Sequence, residues 1–198
     1  MKRRQFIEIC VAATAGPTAC AAAEAQGPAA AGNLKSAPVE RRYERVKLVD
    51  KDGKAIKARS LKANYNYVFN YPYASTPCFL LNLDSVLPAK AALRTAGGSE
   101  YDWPGGVGSG KNIVAYSAIC AHKLAYPTRQ VSFIGYRAGA SGVSSRGKVI
   151  ACCADKSVYD PAAGAKVLSG PAPQPLATIL LEHDPKTDEL FAVGTFGG

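Results

Sequence analysis

Apolar residues in this chain come in short runs, each interrupted by Gly, Pro, Asn or Asp before a helical face can build up. Cys78-Phe79-Leu80-Leu81-Asn82-Leu83 reads as a buried strand, Ile113-Val114-Ala115-Tyr116 as the strand after the loop Trp103 to Gly110, and Val149-Ile150-Ala151 as another. Asn64 to Tyr71 alternates polar and aromatic residues, the mark of a half-buried strand. Val46-Lys47-Leu48-Val49 enters a tight turn at Asp50-Lys51-Asp52-Gly53. Thr178 to Leu181 and Leu190 to Val193 flank Asp184 to Asp188 and predict a closing hairpin. The 19 Gly, 13 Pro and 10 Tyr fit strands and turns better than helices. Only Pro88 to Ala96 suggests a helix, and a short one. The expected fold class is therefore all-β, a sandwich or barrel-like antiparallel arrangement.

The first residues do not belong to that pattern. Lys2-Arg3-Arg4-Gln5-Phe6-Ile7 leads through Ile9-Cys10-Val11 into an alanine-rich stretch, the three-part signature of export. Paired arginines before Gln-Phe-Ile resemble the twin-arginine signal, which carries proteins already folded around a cofactor. Residues 1–25 form this segment, with Ala23-Glu24-Ala25 as a cleavage site before Gln26. Two alternatives stand beside it: a lipoprotein site at Cys20, and an uncleaved anchor. Residues 26–40 read as a small, polar linker and 41–198 as one domain, long enough to bury a core. The formal net charge of +9 suits an acidic protein partner or an anionic surface. Its Lys and Arg are scattered without interleaved aromatics, which argues against nucleic acid.

Two strand-exit loops hold nearly all the metal-ligating side chains. One is Cys120-Ala121-His122, after the strand Ile113 to Tyr116; the other is Cys152-Cys153-Ala154-Asp155-Lys156-Ser157-Val158-Tyr159-Asp160, after Val149 to Ala151. Thiolate and imidazole together suit a soft iron–sulfur centre, and the same set also suits zinc. His183 is the only other histidine, at the mouth of the predicted closing hairpin. Tyr65, Tyr67, Tyr71 and Tyr73 read as sheet packing and Asp84 as a turn residue. Gly105 to Gly110 lacks the Lys-Ser/Thr ending of a phosphate loop, and no nucleophile–base set stands out.

The two loops resemble those of the Rieske [2Fe–2S] family, whose pattern is Cys-x-His in one loop and Cys-x-x-His, then Gly-Ser-x-Tyr/Phe-Asp, in the other. Cys120 and His122 match the first box. Cys152, Ser157, Tyr159 and Asp160 match the second, and Gly164 and the Pro-rich Ser169 to Leu176 resemble the family's covering loop. The resemblance implies an all-β, Rieske-like antiparallel sandwich with a small cluster-binding subdomain, its loops within 113–176. It implies metal ligands among Cys120, His122, Cys152, Cys153 and Asp155, with Ser157 and Tyr159 as hydroxyl donors to cluster sulfur. The function implied is that of a periplasmic one-electron carrier with a [2Fe–2S] cluster. Such a carrier serves a cytochrome, a molybdenum-containing oxidoreductase or a quinol-oxidising complex, and presents His122, Lys123, Leu124 and Pro171 as its docking tip. The alternative is a Rieske-like subunit that has lost its cluster.

Two departures qualify the resemblance. Asp155 stands where the family has its second histidine; shifting the register to Cys153 would put Lys156 there instead, and ammonium is no ligand. A carboxylate ligand adds a negative charge, which lowers the potential and removes one of two titrating imidazoles. The disulfide that braces the loops in high-potential members is also missing, because Ala125 and Ala154 occupy its positions. A Cys78–Cys153 disulfide and a buried free Cys78 are both compatible with the sequence.

Overall fold

The computed structural model describes residues 40–50, 52–124, 126–127 and 133–198. The segment expected to direct export, the expected linker up to its last residue, and Ala125 lie outside the described residues. Twelve strands are described: β1 Arg41–Lys47, β2 Tyr67–Asn70, β3 Pro77–Asn82, β4 Ala91–Arg94, β5 Glu100–Trp103, β6 Ile113–Ser117, β7 Ile134–Arg137, β8 Val149–Cys152, β9 Val158–Asp160, β10 Lys166–Ser169, β11 Thr178–Asp184 and β12 Glu189–Phe196. The only helical pieces among the described residues are single 3-10 turns at Ala58–Ser60 and Pro161–Ala163, so the domain is all-β as expected. No helix among the described residues is long and apolar enough to cross a membrane.

The strands form a six-stranded sheet in the order β1-β12-β11-β6-β3-β2, a four-stranded sheet β10-β9-β8-β7, and a separate hairpin β4-β5. All registered pairs are antiparallel. The larger sheet is covered on both faces, which explains why β3 reads as unbroken apolar sequence. Phe79 and Leu81 face the core shared with the smaller sheet, together with Val114, Tyr116, Ile150, Cys152 and Tyr159. Cys78 and Leu80 face the opposite core with Ile113, Ala115, Leu190 and Ala192. A strand half-buried on one side only would have alternated. Burying each such Leu, Phe or Ile contributes roughly 1.5–3 kcal/mol, so β3 and β6 anchor the sandwich.

The helix expected over Pro88 to Ala96 is not formed. The segment is β4, paired with β5 from Ala91↔Trp103 to Arg94↔Glu100. Its burial alternates: Leu93 packs in the shared core while Ala92 and Arg94 are exposed. A helix would have forfeited the cross-strand partners that cover Trp103, which is fully buried. Gly164 makes this packing possible. It sits at φ +69, and a Cβ there would lie 2.7 Å from Trp103 Cγ and 2.8 Å from Leu93 Cδ1.

Other elements differ in length from expectation. β2 begins only at Tyr67, since Asn64 takes a left-handed φ of 55° and Tyr65 is exposed. The turn after Val49 forms as predicted, with Asp50 Oδ1 accepting from the N–H groups of Asp52 and Lys54. Asp84 does sit in a turn, at φ 54°. The closing hairpin is β11–β12, in continuous antiparallel register from Thr178↔Phe196 to Asp184↔Glu189 apart from a bulge.

Candidate metal centre

β6 and β8 deliver the two boxes to the same place. β6 ends at Ser117, whose hydroxyl accepts from the Ile119 N–H, and the chain turns inward so that Cys120 is fully buried. The turn then closes with the Leu124 N–H donating to the Cys120 carbonyl. Cys152 is the last residue of β8. The chain reverses into β9 through a tight turn closed by Lys156 N–H to Cys152 O at 2.9 Å and Cys152 N–H to Ser157 O at 2.8 Å. Lys156 takes the left-handed conformation that this reversal needs, at φ 66°.

Strand alternation sorts the adjacent cysteines. Cys152 points into the shared core, while Cys153, whose N–H donates to Phe133 O, points outward and is exposed. Asp155 is fixed by its own turn, Oδ1 accepting the Ser157 N–H at 2.9 Å. Its other oxygen accepts from the Cys120 thiol at 3.3 Å and lies 3.1 Å from His122 Nδ1. One ligand atom each from Cys120, Cys152 and Asp155 lies within 4.8 Å of the others. His122 is outside that trio and reaches it through Asp155. The carboxylate side chain is 2% exposed and the imidazole 37%, so the site has a dry floor and one open edge.

Its electrostatics are set by those contacts. Burial pushes the Cys152 thiol up to about 12, and the Asp155 carboxylate beside it acts in the same sense. Burial also works to raise Asp155. The Ser157 N–H and the Cys152 and Cys120 thiols outweigh it, and the carboxyl is lowered to about 2. Asp155 is thus a carboxylate at any ordinary pH, while the Cys152 thiol keeps its proton until a cation displaces it. Tyr159, fully buried on β9, has its hydroxyl 3.3 Å from Cys120 Sγ and accepts the Ala121 N–H. Burial, with Cys120 next to it, raises the phenol far above its usual range, so it remains a neutral donor.

Of the residues picked out from sequence, Cys120, Cys152, Asp155, Ser157 and Tyr159 meet here, with His122 at the edge. Cys153 does not join them. The Cys78–Cys153 disulfide is absent: both are free, Cys78 being buried in the core on the opposite face of the large sheet. Ser157 makes one contact that the sequence does not predict. Its hydroxyl accepts the Ala172 N–H at 3.2 Å, so it latches the Pro-rich loop over the site. His183 pairs with Asp188 across its own hairpin. The residues that sequence reading missed are backbone groups, the N–H of Ala121 and of Ala172, which no side-chain pattern reveals.

No family model matches the chain. Among solved structures, the chain is similar to the soluble domain of the Rieske protein II (soxF) from Sulfolobus acidocaldarius, with a TM-score of 0.52 and 26% sequence identity. The match covers 77% of this chain and 78% of that one. The fold is that of a Rieske domain. In this Rieske-like fold the four-stranded sheet is the small subdomain, and the site lies where its β8–β9 turn meets the loop after β6.

Two thiols, a carboxylate and an imidazole form a donor set that fits an iron–sulfur group. The sulfur donors are buried together, an ionised oxygen is already fixed by its turn, and the nitrogen donor sits at the open edge. Oδ of Asp155 and Nδ1 of His122 are each three bonds from Cα, so a carboxylate offers the same reach as an imidazole.

Proposed function

We infer that this chain is an exported one-electron carrier whose [2Fe–2S] cluster is held by Cys120, Cys152, His122 and Asp155. The observation that carries this reading is the meeting of Cys120, Cys152 and Asp155 at the junction of two loops, with His122 Nδ1 in contact with Asp155. When bound, the cluster supplies a reversible one-electron couple. The chain's own residues do the rest. Tyr159 directs its hydroxyl at Cys120 Sγ and thereby favours the reduced state. Asp155 brings a full negative charge and favours the oxidised state. The loop holding Ala172, tied to Ser157, excludes water from the thiol side.

The exposed tip formed by His122, Lys123, Leu124 and Pro171 fits a redox partner, namely a cytochrome, a molybdenum-containing oxidoreductase or a quinol-oxidising complex. Leu124, 68% exposed, gives that tip an apolar point. The twin-arginine-like start accords with periplasmic work by a protein that acquires its cluster before export.

A second reading has its own support. Thiol, carboxylate and imidazole already satisfy one another in direct contacts, which suits a cluster-less Rieske-like binding subunit. Iron, zinc and acid-labile sulfide determination on protein exported by its own signal separates the readings. Two irons and two sulfides per chain, with a rhombic signal on reduction, support the carrier. Colourless, metal-free protein supports the binding subunit, and one zinc per chain overturns both.

A further inference from the structure

The six-stranded sheet curls, yet its two edges do not close on one another. On one side, the chain leaving β1 makes the Asp50–Lys54 turn and returns through the bridges Val49↔Ala55 and Lys57↔Glu189. On the other side lies β2, the opposite edge strand. Between them opens a cleft of about 620 Å³, within the range of roughly 300–1,000 Å³ usual for small-ligand sites. It is remote in the fold from the metal centre, on the other core of the large sheet.

Leu80 and Leu61 reach this cleft from the core, only 1% and 5% exposed. Val49 and Tyr65 line it while being 46% and 53% exposed. Apolar side chains left open to water around an apolar pocket mark a binding site better than scattered ones do. The polar groups are few and mostly engaged. Asp50 accepts from its own turn, Lys57 Nζ is held by Glu189 and the Thr187 carbonyl, and the Tyr67 hydroxyl accepts the Lys62 N–H. Lys54 is the exception: it is exposed, lines the cleft, and has no ion-pair partner among the described residues.

We propose that this cleft binds a single-chain anionic amphiphile, a long-chain carboxylate, with its hydrocarbon tail between β2 and the Val49–Leu61 arm and its head group on Lys54. The chemistry of the lining selects this occupant. A peptide inserted there would bring N–H and C=O groups against Leu61, Leu80 and Ile56, whose side chains offer them no partner. A hydrocarbon tail needs none, and its one charged end meets Lys54, the lining cation without an ion-pair partner among the described residues.

The test is calorimetric titration of the protein with octanoate, decanoate, dodecanoate and dodecanol below their micelle thresholds, on iron-loaded and iron-free protein alike. The expected result is one saturable site that tightens about tenfold for each two methylenes added. Lys54→Ala should weaken dodecanoate severalfold and leave dodecanol unchanged. Tyr65→Asp, at a half-exposed position that lines the cleft with its ring 4.7 Å from that of Tyr67, should weaken both at least tenfold while the protein stays folded. Absence of saturable binding, affinity independent of chain length, or binding indifferent to Tyr65→Asp overturns the proposal. So does a dimer that Tyr65→Asp dissociates without any carboxylate being bound. Because the iron-free protein is measured in parallel, failure here is separable from failure of the redox reading.

Discussion

Replacing Asp155 with histidine alters the charge at the centre while keeping a donor atom at the same distance along the side chain. Asp155 is ionised throughout the working range, with its carboxyl lowered to about 2, and it lies 3.3 Å from Cys120 Sγ and 3.1 Å from His122 Nδ1. A neutral imidazole in its place removes one full negative charge. At a separation of about 4 Å and an effective dielectric near 20, one unit charge is worth about 4 kcal/mol. With about 59 mV for each 1.4 kcal/mol in a one-electron couple, that is about 170 mV. The site has an open edge at His122, 37% exposed, and solvent screening there reduces the figure to roughly 80–170 mV. The midpoint of Asp155→His should therefore rise by that amount. It should also fall with pH in the alkaline range, because two imidazoles rather than one then lose protons as the oxidised state is favoured. Voltammetry of the adsorbed protein from pH 6 to pH 10 reads both effects. A midpoint indistinguishable from that of the unaltered protein, with no new pH dependence, would show that Asp155 is not a ligand.

The metal-free protein should lose stability as pH falls from about 4 to about 2. The Asp155 carboxyl is depressed from 3.8 to about 2 on folding, so its contribution is present above the unfolded value and vanishes below the folded one. Allowing for screening, that contribution is about 1–2 kcal/mol, and Asp155→Asn should forfeit it in urea denaturation at pH 6 but not at pH 2. Among the described cysteines, iodoacetamide should modify Cys153 first, because it is exposed, while Cys78 and Cys152 are buried with thiols pushed up to about 12. Peptide mapping that finds Cys120 or Cys152 labelled ahead of Cys153 would contradict the inward placement of the β8 end. Gly170→Ala should destabilise the domain by about 2 kcal/mol or more, since a Cβ at φ +90 would lie 2.5 Å from Ser157 Cα and 2.6 Å from the Lys156 carbonyl. Hydrogen exchange should show the Ala172 amide losing protection in that variant, because its bond to Ser157 depends on the same close approach.

The parts of the fold that could be read from sequence are those where burial alone dictates residue type. β3 and β6 sit between two cores, so their runs are apolar throughout, and the β11–β12 hairpin announces itself by its turn residues. β4 could not be read in this way. Its alanines suit a helix, and only pairing with β5 and the packing of Leu93 make it a strand. β7 and β10 are short strands whose partners in the small sheet, not their composition, define them. Within the site, two strand-exit loops pointed to Cys120 and Cys152, and the resemblance to the Rieske boxes added Asp155 and Tyr159. The ligand register favours Cys152 over Cys153, and the end of β8 at Cys152 sets the side on which each thiol lies. The role of Ser157 depended on a backbone N–H arriving from a loop fifteen positions away, for which the sequence carries no mark.

The central claim is a two-iron group bound by one imidazole, two thiolates and a carboxylate. It is tested most directly by pulsed EPR of the reduced protein carrying 15N only in its histidines, of which there are two, His122 and His183. The account predicts one strongly coupled 15N, which disappears in His122→Ala and survives in His183→Ala. Two strongly coupled nitrogens, or none, would contradict it.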